Sequence, residues 1–90
     1  MAIVKFTSHL KRFYPSLSQE RIHSINVKDL IDELEQKYSG ISDYLLDSSG
    51  QLREHVNVFL NGEIIVDREQ LGDSLKADDE VYIMQAISGG

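Results

Sequence analysis

Between residues 27 and 38 the apolar side chains Val27, Leu30, Ile31, Leu34 and Tyr38 recur at i, i+3, i+4, i+7 and i+11. That spacing draws one stripe along a helix, while Asp29, Asp32, Glu33, Glu35 and Gln36 face away as a solvated side. Asn26 stands where a side-chain cap is needed and Gly40 where a left-handed stop is favoured, so the pattern predicts one amphipathic helix of about three turns. A single apolar stripe has to be buried against something. The other apolar runs read as strands, and the chain is thereby confined to a helix laid on a sheet.

Those strands can be ordered. AIVKFT is short, apolar and β-prone, and SLSQERIHSI, after a Tyr14-Pro15 turn, reads as its hairpin partner ending near Ile25. GISDYLLD predicts a short helical turn that tucks Ile41, Tyr44 or Leu45 under the core, and DSSGQ a loop. HVNVFL alternates, with Val56, Val58 and Leu60 on one side and Asn57 and Phe59 on the other. Asn61-Gly62 tolerates the positive φ of a two-residue turn, so EIIV returns as a second hairpin strand, and after DREQLGDSLKADD comes a last strand, EVYIMQAI. With that strand beside the first, in parallel, at the sheet centre, the fold class is α+β: a ubiquitin-like β-grasp, a mixed sheet with one main helix across one face. Residues 1–87 are expected to form this domain and residues 88–90 a flexible Ser-Gly-Gly tail.

Several function classes are excluded by composition. Ninety residues build one core, and 41% hydrophobic with 27% charged content is that of a folding chain. The sequence contains no cysteine, which removes disulfides, any side-chain thiol nucleophile and Cys-ligated metal, and with the last a ferredoxin-type use of the fold. A formal charge of −6 argues against nucleic acid and for partners with a basic rim; Lys11, Arg12 and Arg53 are too sparse for a phosphate track. His9, His23 and His55 lack metal-ligand spacing, and Asp78, Asp79 and Glu80 lack a calcium-loop pattern, so no metal site is expected and the three acids are read as shaping a turn. Without an apolar run of membrane-spanning length or a signal-peptide pattern, a cytoplasmic protein is expected.

The last residues carry the chemistry. Gly89 and Gly90 follow the predicted final strand with only Ser88 as a spacer, so the terminal carboxylate is expected a short reach from a rigid body. A carboxylate is a poor electrophile, but ATP converts it to an acyl-adenylate from which a sulfur or nitrogen nucleophile displaces AMP. An enzyme doing this must thread the terminus through a narrow channel, where a Cβ would obstruct. No phosphate-binding glycine loop is present, so no cofactor is expected to be bound and ATP belongs to the partner.

HVNVFLNGE, DDEVYIMQAISGG and the final Gly-Gly resemble the MoaD/ThiS-type ubiquitin-like sulfur-carrier family, which includes the molybdopterin synthase small subunit and the thiamine sulfur carrier. YSGISDYLLDSSGQL is similar to the longer members that supply sulfur for cysteine biosynthesis; Gln85-Ala86-Ile87 departs from the prolines or Ala-Val often found before the small residue. The resemblance implies that an E1-like enzyme adenylates Gly90, that a thiocarboxylate forms there, and that an acceptor enzyme takes the sulfur. That acceptor would be of the molybdopterin synthase large-subunit type or the pyridoxal-phosphate cysteine synthase type. The chain would be a co-substrate, not a catalyst, and a monomer when free.

Alternation also predicts where partners dock. With Val56, Val58, Val81 and Ile83 inward, Phe59, Tyr82 and Met84 face out beside the root of the tail, and with Ser88 they form the expected partner-binding set. The same tail serves a ubiquitin-like modifier that forms an amide with a lysine, and a β-grasp binding module with an inert tail is the third reading.

Overall fold

The computed structural model describes residues 2–12, 14–17 and 19–85. Five strands and three helices succeed one another: β1 (Ala2–Phe6), α1 (Ser8–Lys11), β2 (Glu20–Ile22), α2 (Val27–Lys37), α3 (Ile41–Leu45), β3 (Val56–Leu60), β4 (Glu63–Ile64) and β5 (Glu80–Gln85). They form a sheet of order β2-β1-β5-β3-β4. Strand β5 lies at its centre, parallel to β1 in the register Val4↔Val81 and Phe6↔Ile83, and antiparallel to β3 with Val58↔Ile83. This is the β-grasp arrangement.

Period-two patterning decides which face is wet. Ala2, Val4 and Phe6 of β1, Val56 and Val58 of β3, and Val81 and Ile83 of β5 all turn to one side and are buried. Helix α2 crosses that side with Val27, Leu30, Ile31 and Leu34 buried on it. Burying four such side chains is worth about 6–12 kcal/mol in transfer free energy, more than the ~3–4 kcal/mol that intrinsic propensity and caps typically supply to a short helix. Tertiary packing therefore holds α2, as its length requires. Among the described residues no polar or charged side chain is buried.

The N-cap is the one expected, while the C-cap of α2 is Tyr38, whose N–H donates to the Leu34 carbonyl, and Gly40 instead precedes α3. Asn26 is extended, at φ −150°, and its side chain accepts the Asp29 N–H at 2.8 Å. Gly40, at φ +90°, turns the chain from α2 into α3; a Cβ there would meet the Tyr14 hydroxyl at 3.1 Å. That hydroxyl donates to the Ser39 carbonyl, and the Tyr14 ring packs edge-on against Tyr38 and Tyr44. The Tyr38 hydroxyl in turn donates to Glu20, beside Lys37. Helix α3 buries Ile41 and Leu45, with Tyr44 partly covered.

The N-terminal hairpin differs from expectation. Its second strand has three residues, and the connection contains α1, which buries Leu10, while the loop behind it buries Leu17. These two leucines satisfy the core better than they would an edge strand, and Ser16 and Gln19 are exposed outside the sheet. Strand β2 ends at Ile22 and not near Ile25, which is 70% exposed just before the Asn26 cap of α2. Loop 67–72 is also more structured than a plain connection: the Asp67 carboxylate accepts the N–H groups of Glu69, Gln70 and Gly72, and Leu71 is buried at φ +59°. No helix among the described residues is long and apolar enough to cross a membrane.

Candidate functional site

On the face of the sheet opposite α2, strand register lays out the residues in rows. Ile64, Phe59, Tyr82 and Lys5 stand side by side across β4, β3, β5 and β1; Asn57 and Met84 form the next row. Phe59 and Met84 are half-buried, Tyr82 is 37% exposed and Ile64 is 51% exposed. Lys5, Phe59, Tyr82 and Met84, with Asn61 and Glu80, line a shallow depression of about 540 Å³. Its floor is apolar. Its rim is polar, with Lys5 Nζ 3.2 Å from Glu80 Oε1 and Arg68 donating to Asn57 Oδ1 at 2.8 Å.

The hairpin tip is held in place by side chains. Asn61 at φ +52° and Gly62 at φ +87° make the tight turn from β3 to β4. The Asn61 carboxamide also donates to Asp79 Oδ1 at 2.8 Å and accepts the Glu80 N–H at 2.9 Å, fastening the tip to the start of β5. Asp79 further accepts the Lys76 N–H, and this bond, followed by the one from Asn61, holds its carboxyl below the usual aspartate range. The acidic run thus acts through its turn, as its spacing implied, while Glu80 pairs with Lys5 and Asp78 is exposed.

At the other end of β5 the description stops at Gln85. The parallel ladder with β1 ends at Phe6↔Ile83, after which the Thr7 N–H donates to the Ile83 carbonyl and Thr7 Oγ1 accepts the Gln85 N–H at 3.4 Å. On the opposite side, Val56↔Gln85 is the last rung with β3 among the described residues. Ser88, Gly89 and Gly90 lie outside the described residues.

The structure brings Phe59, Tyr82 and Met84 onto one face. Lys5 and Ile64 join them and were not foreseen, although both were within reach of counting: Lys5 occupies the outward phase of AIVKF, and a two-residue turn pairs Ile64 with Phe59. His23 and His55 are exposed, and among the described residues no group of three His, Cys, Asp or Glu side chains is placed to hold a metal.

A β-grasp sheet with one naked apolar face defines a ubiquitin-like protein. The ThiS family model matches residues 4–90, and the chain belongs to this family, a ubiquitin-like sulfur-carrier family of MoaD/ThiS type. Sulfur carrier protein CysO of Mycobacterium tuberculosis is 38% identical over 63 residues, 68% of each chain. Small archaeal modifier protein 3 of Haloferax volcanii is 31% identical over 64 residues, covering 71% of this chain and 68% of its own. In the crystal structure of the Amycolatopsis orientalis BexX/CysO complex, a chain 23% identical superposes with a TM-score of 0.85 over the full length of both, which establishes the shared fold.

Proposed function

We propose that this protein is a sulfur carrier whose terminal carboxylate, on Gly90, is the site of attachment. The ThiS-family match, which runs unbroken through residue 90, carries this reading. The Gly90 carboxylate attacks the α-phosphorus of ATP held by an E1-like enzyme, releasing pyrophosphate. Sulfide, as HS−, then adds to the acyl carbon and expels AMP, leaving a thiocarboxylate after loss of its proton. Residues 88–90 serve as a thin tether to the domain of residues 1–87, and Gly89 presents no side chain to the activating channel.

The face of Phe59, Tyr82 and Met84, with Ser88, would dock both the activating enzyme and the sulfur acceptor. A single apolar patch bordered by charge suits successive partners that take turns. The acceptor would be an enzyme of molybdopterin, cysteine or related biosynthesis; the CysO relative supports the cysteine branch. The net charge of −6 favours partners with a basic rim.

Intact mass before and after incubation with ATP, a sulfide source and an E1-like enzyme of the same organism tests the reading. Exchange of one oxygen for sulfur, mapped to Gly90, is the expected result. No change, with a control carrier converted in parallel, would overturn it. The second reading, a protein modifier, is favoured by the name of the Haloferax relative; it predicts an amide between Gly90 and a lysine of another protein in place of a free thiocarboxylate.

A further inference from the structure

Asn occurs three times in the chain, and the residue after it differs in each case in how it crowds the main chain: Val27 after Asn26, Val58 after Asn57 and Gly62 after Asn61. Asn is chemically labile because the next backbone nitrogen can close on its carboxamide carbon. The branched side chains of Val27 and Val58 obstruct that approach. Gly62 has no side chain, and a Cβ there would meet nothing within 4 Å. Asn61 and Gly62 are both exposed, at the tip of the β3–β4 hairpin, so water reaches the most labile Asn of the chain.

Three bonds to β5 and the turn before it oppose this chemistry. The Asn61 N–H donates to the Glu80 carbonyl at 2.8 Å, its carboxamide nitrogen donates to Asp79 Oδ1 at 2.8 Å, and its carboxamide oxygen accepts the Glu80 N–H at 2.9 Å. Asp79 is itself held, with Oδ2 accepting the Lys76 N–H at 2.7 Å. To bring Cγ onto the Gly62 nitrogen, the side chain must turn away from β5, and both carboxamide bonds break before the new bond forms. The turn is labile by composition and protected by its tertiary contacts.

We propose that Asn61 is a site of spontaneous deamidation that Asp79 and Glu80 hold in check, and that its conversion detaches the hairpin tip from β5. The inference goes beyond the sulfur-carrier reading and does not depend on it. The Gly62 nitrogen loses its proton and bonds to Asn61 Cγ; the Cγ–Nδ2 bond breaks and Nδ2 leaves, with a proton, as ammonia, giving a five-membered succinimide. Water then opens the ring, at Cγ to give aspartate or at the main-chain carbonyl to give isoaspartate. One water is consumed and one ammonia released. Either product removes the donor that faces Asp79 and adds a negative charge to the tip, and isoaspartate also adds one carbon to the main chain of a two-residue turn. Asn61 and Gly62 border the depression of Phe59, Tyr82 and Met84, so conversion alters that face as well.

The test incubates the full chain at mildly alkaline pH and follows conversion at Asn61 by peptide mass mapping, with isoaspartate counted by an isoaspartate methyltransferase. Asp79→Ala removes one of the two carboxamide bonds and should raise the rate about 2–12-fold; Asp79→Asn, which still offers an oxygen to Asn61, should return most of the protection. Leu34→Ala weakens the whole domain from the α2 side of the sheet and should leave the rate near that of wild type. A wild-type rate in Asp79→Ala would overturn the proposal. So would a rate in Leu34→Ala as high as in Asp79→Ala, since the tip would then open only by global unfolding. Asn61→Asp, the product of one branch, is expected to melt at least about 4 °C below wild type; an unchanged melting temperature would overturn the detachment.

Discussion

Asn61 performs two jobs that substitution can separate. Its backbone sits at φ +52°, where glycine is unstrained, and its side chain ties the hairpin tip to Asp79 and Glu80 with bonds of 2.8 and 2.9 Å. Asn61→Gly keeps the turn and deletes both bonds; Asn61→Ala deletes them and forces a Cβ into the left-handed region. Both bonds are exposed, so each belongs near the lower end of the usual range, and with the added freedom of glycine in the unfolded chain the glycine variant should lose about 1.5–2 kcal/mol. Alanine avoids that unfolded-state term but carries left-handed strain, leaving it about 0.5–1 kcal/mol below glycine. Thermal unfolding followed by circular dichroism resolves this, since each kcal/mol moves the midpoint by about 4–8 °C for a domain of this size. The pairing with Asp79 also has a pH signature. Because the folded Asp79 carboxyl is held below its ordinary value, its contribution is present above the unfolded aspartate pKa and is lost as pH falls through the lower, folded one. Asn61→Gly should therefore lose less stability than wild type in that acid window. A glycine variant with the wild-type midpoint would refute the lock, and equal midpoints for glycine and alanine would refute the strain argument.

Three further outcomes are expected. Leu34→Ala, at a fully buried position of α2, should cost about 2–5 kcal/mol, read as a lower denaturation midpoint at unchanged m-value; a loss below about 1 kcal/mol would contradict the packing described. Glu35 accepts the N–H groups of Gly40 and Ser42 at 2.7 and 2.9 Å, and the first of these bonds leads in holding its carboxyl below the ordinary range. Its stabilisation is present above the unfolded glutamate pKa and fades as pH drops through the folded one, so Glu35→Gln should flatten the stability curve in that interval; an unchanged curve would refute the assignment. Tyr82→Glu, which sets a second carboxylate beside Glu80 on the open face, should leave the fold intact and raise KM for the activating enzyme at least about tenfold. Unaltered KM would move the docking site elsewhere.

What was legible in the sequence was whatever periodicity alone decides. The α2 stripe, the Asn26 cap, the Asn61-Gly62 turn and the two faces of β3 and β5 each follow from residues a few positions apart, and register then gathers Phe59, Tyr82 and Met84 on one side. The N-terminal connection failed for the opposite reason. Whether Leu10 and Leu17 belong to a strand or to a short helix and loop depends on the room that the rest of the core leaves for them, which no local window contains. Leu71 is a similar case: its positive φ follows from Asp67 drawing successive N–H groups inward, a tertiary preference that outweighs the reluctance of leucine to adopt it.

Strand β5 shows how one element can serve stability and function without compromise between them. Its inward residues Val81 and Ile83 are shared by β1, β3 and the helix layer, so they anchor the centre of the sheet. Its outward residues Tyr82 and Met84 make no demand on that core, and substitutions there are free to tune recognition. Gln85 keeps the inward phase of Val81 and Ile83 but carries a polar head, and its Oε1 is buried without a partner.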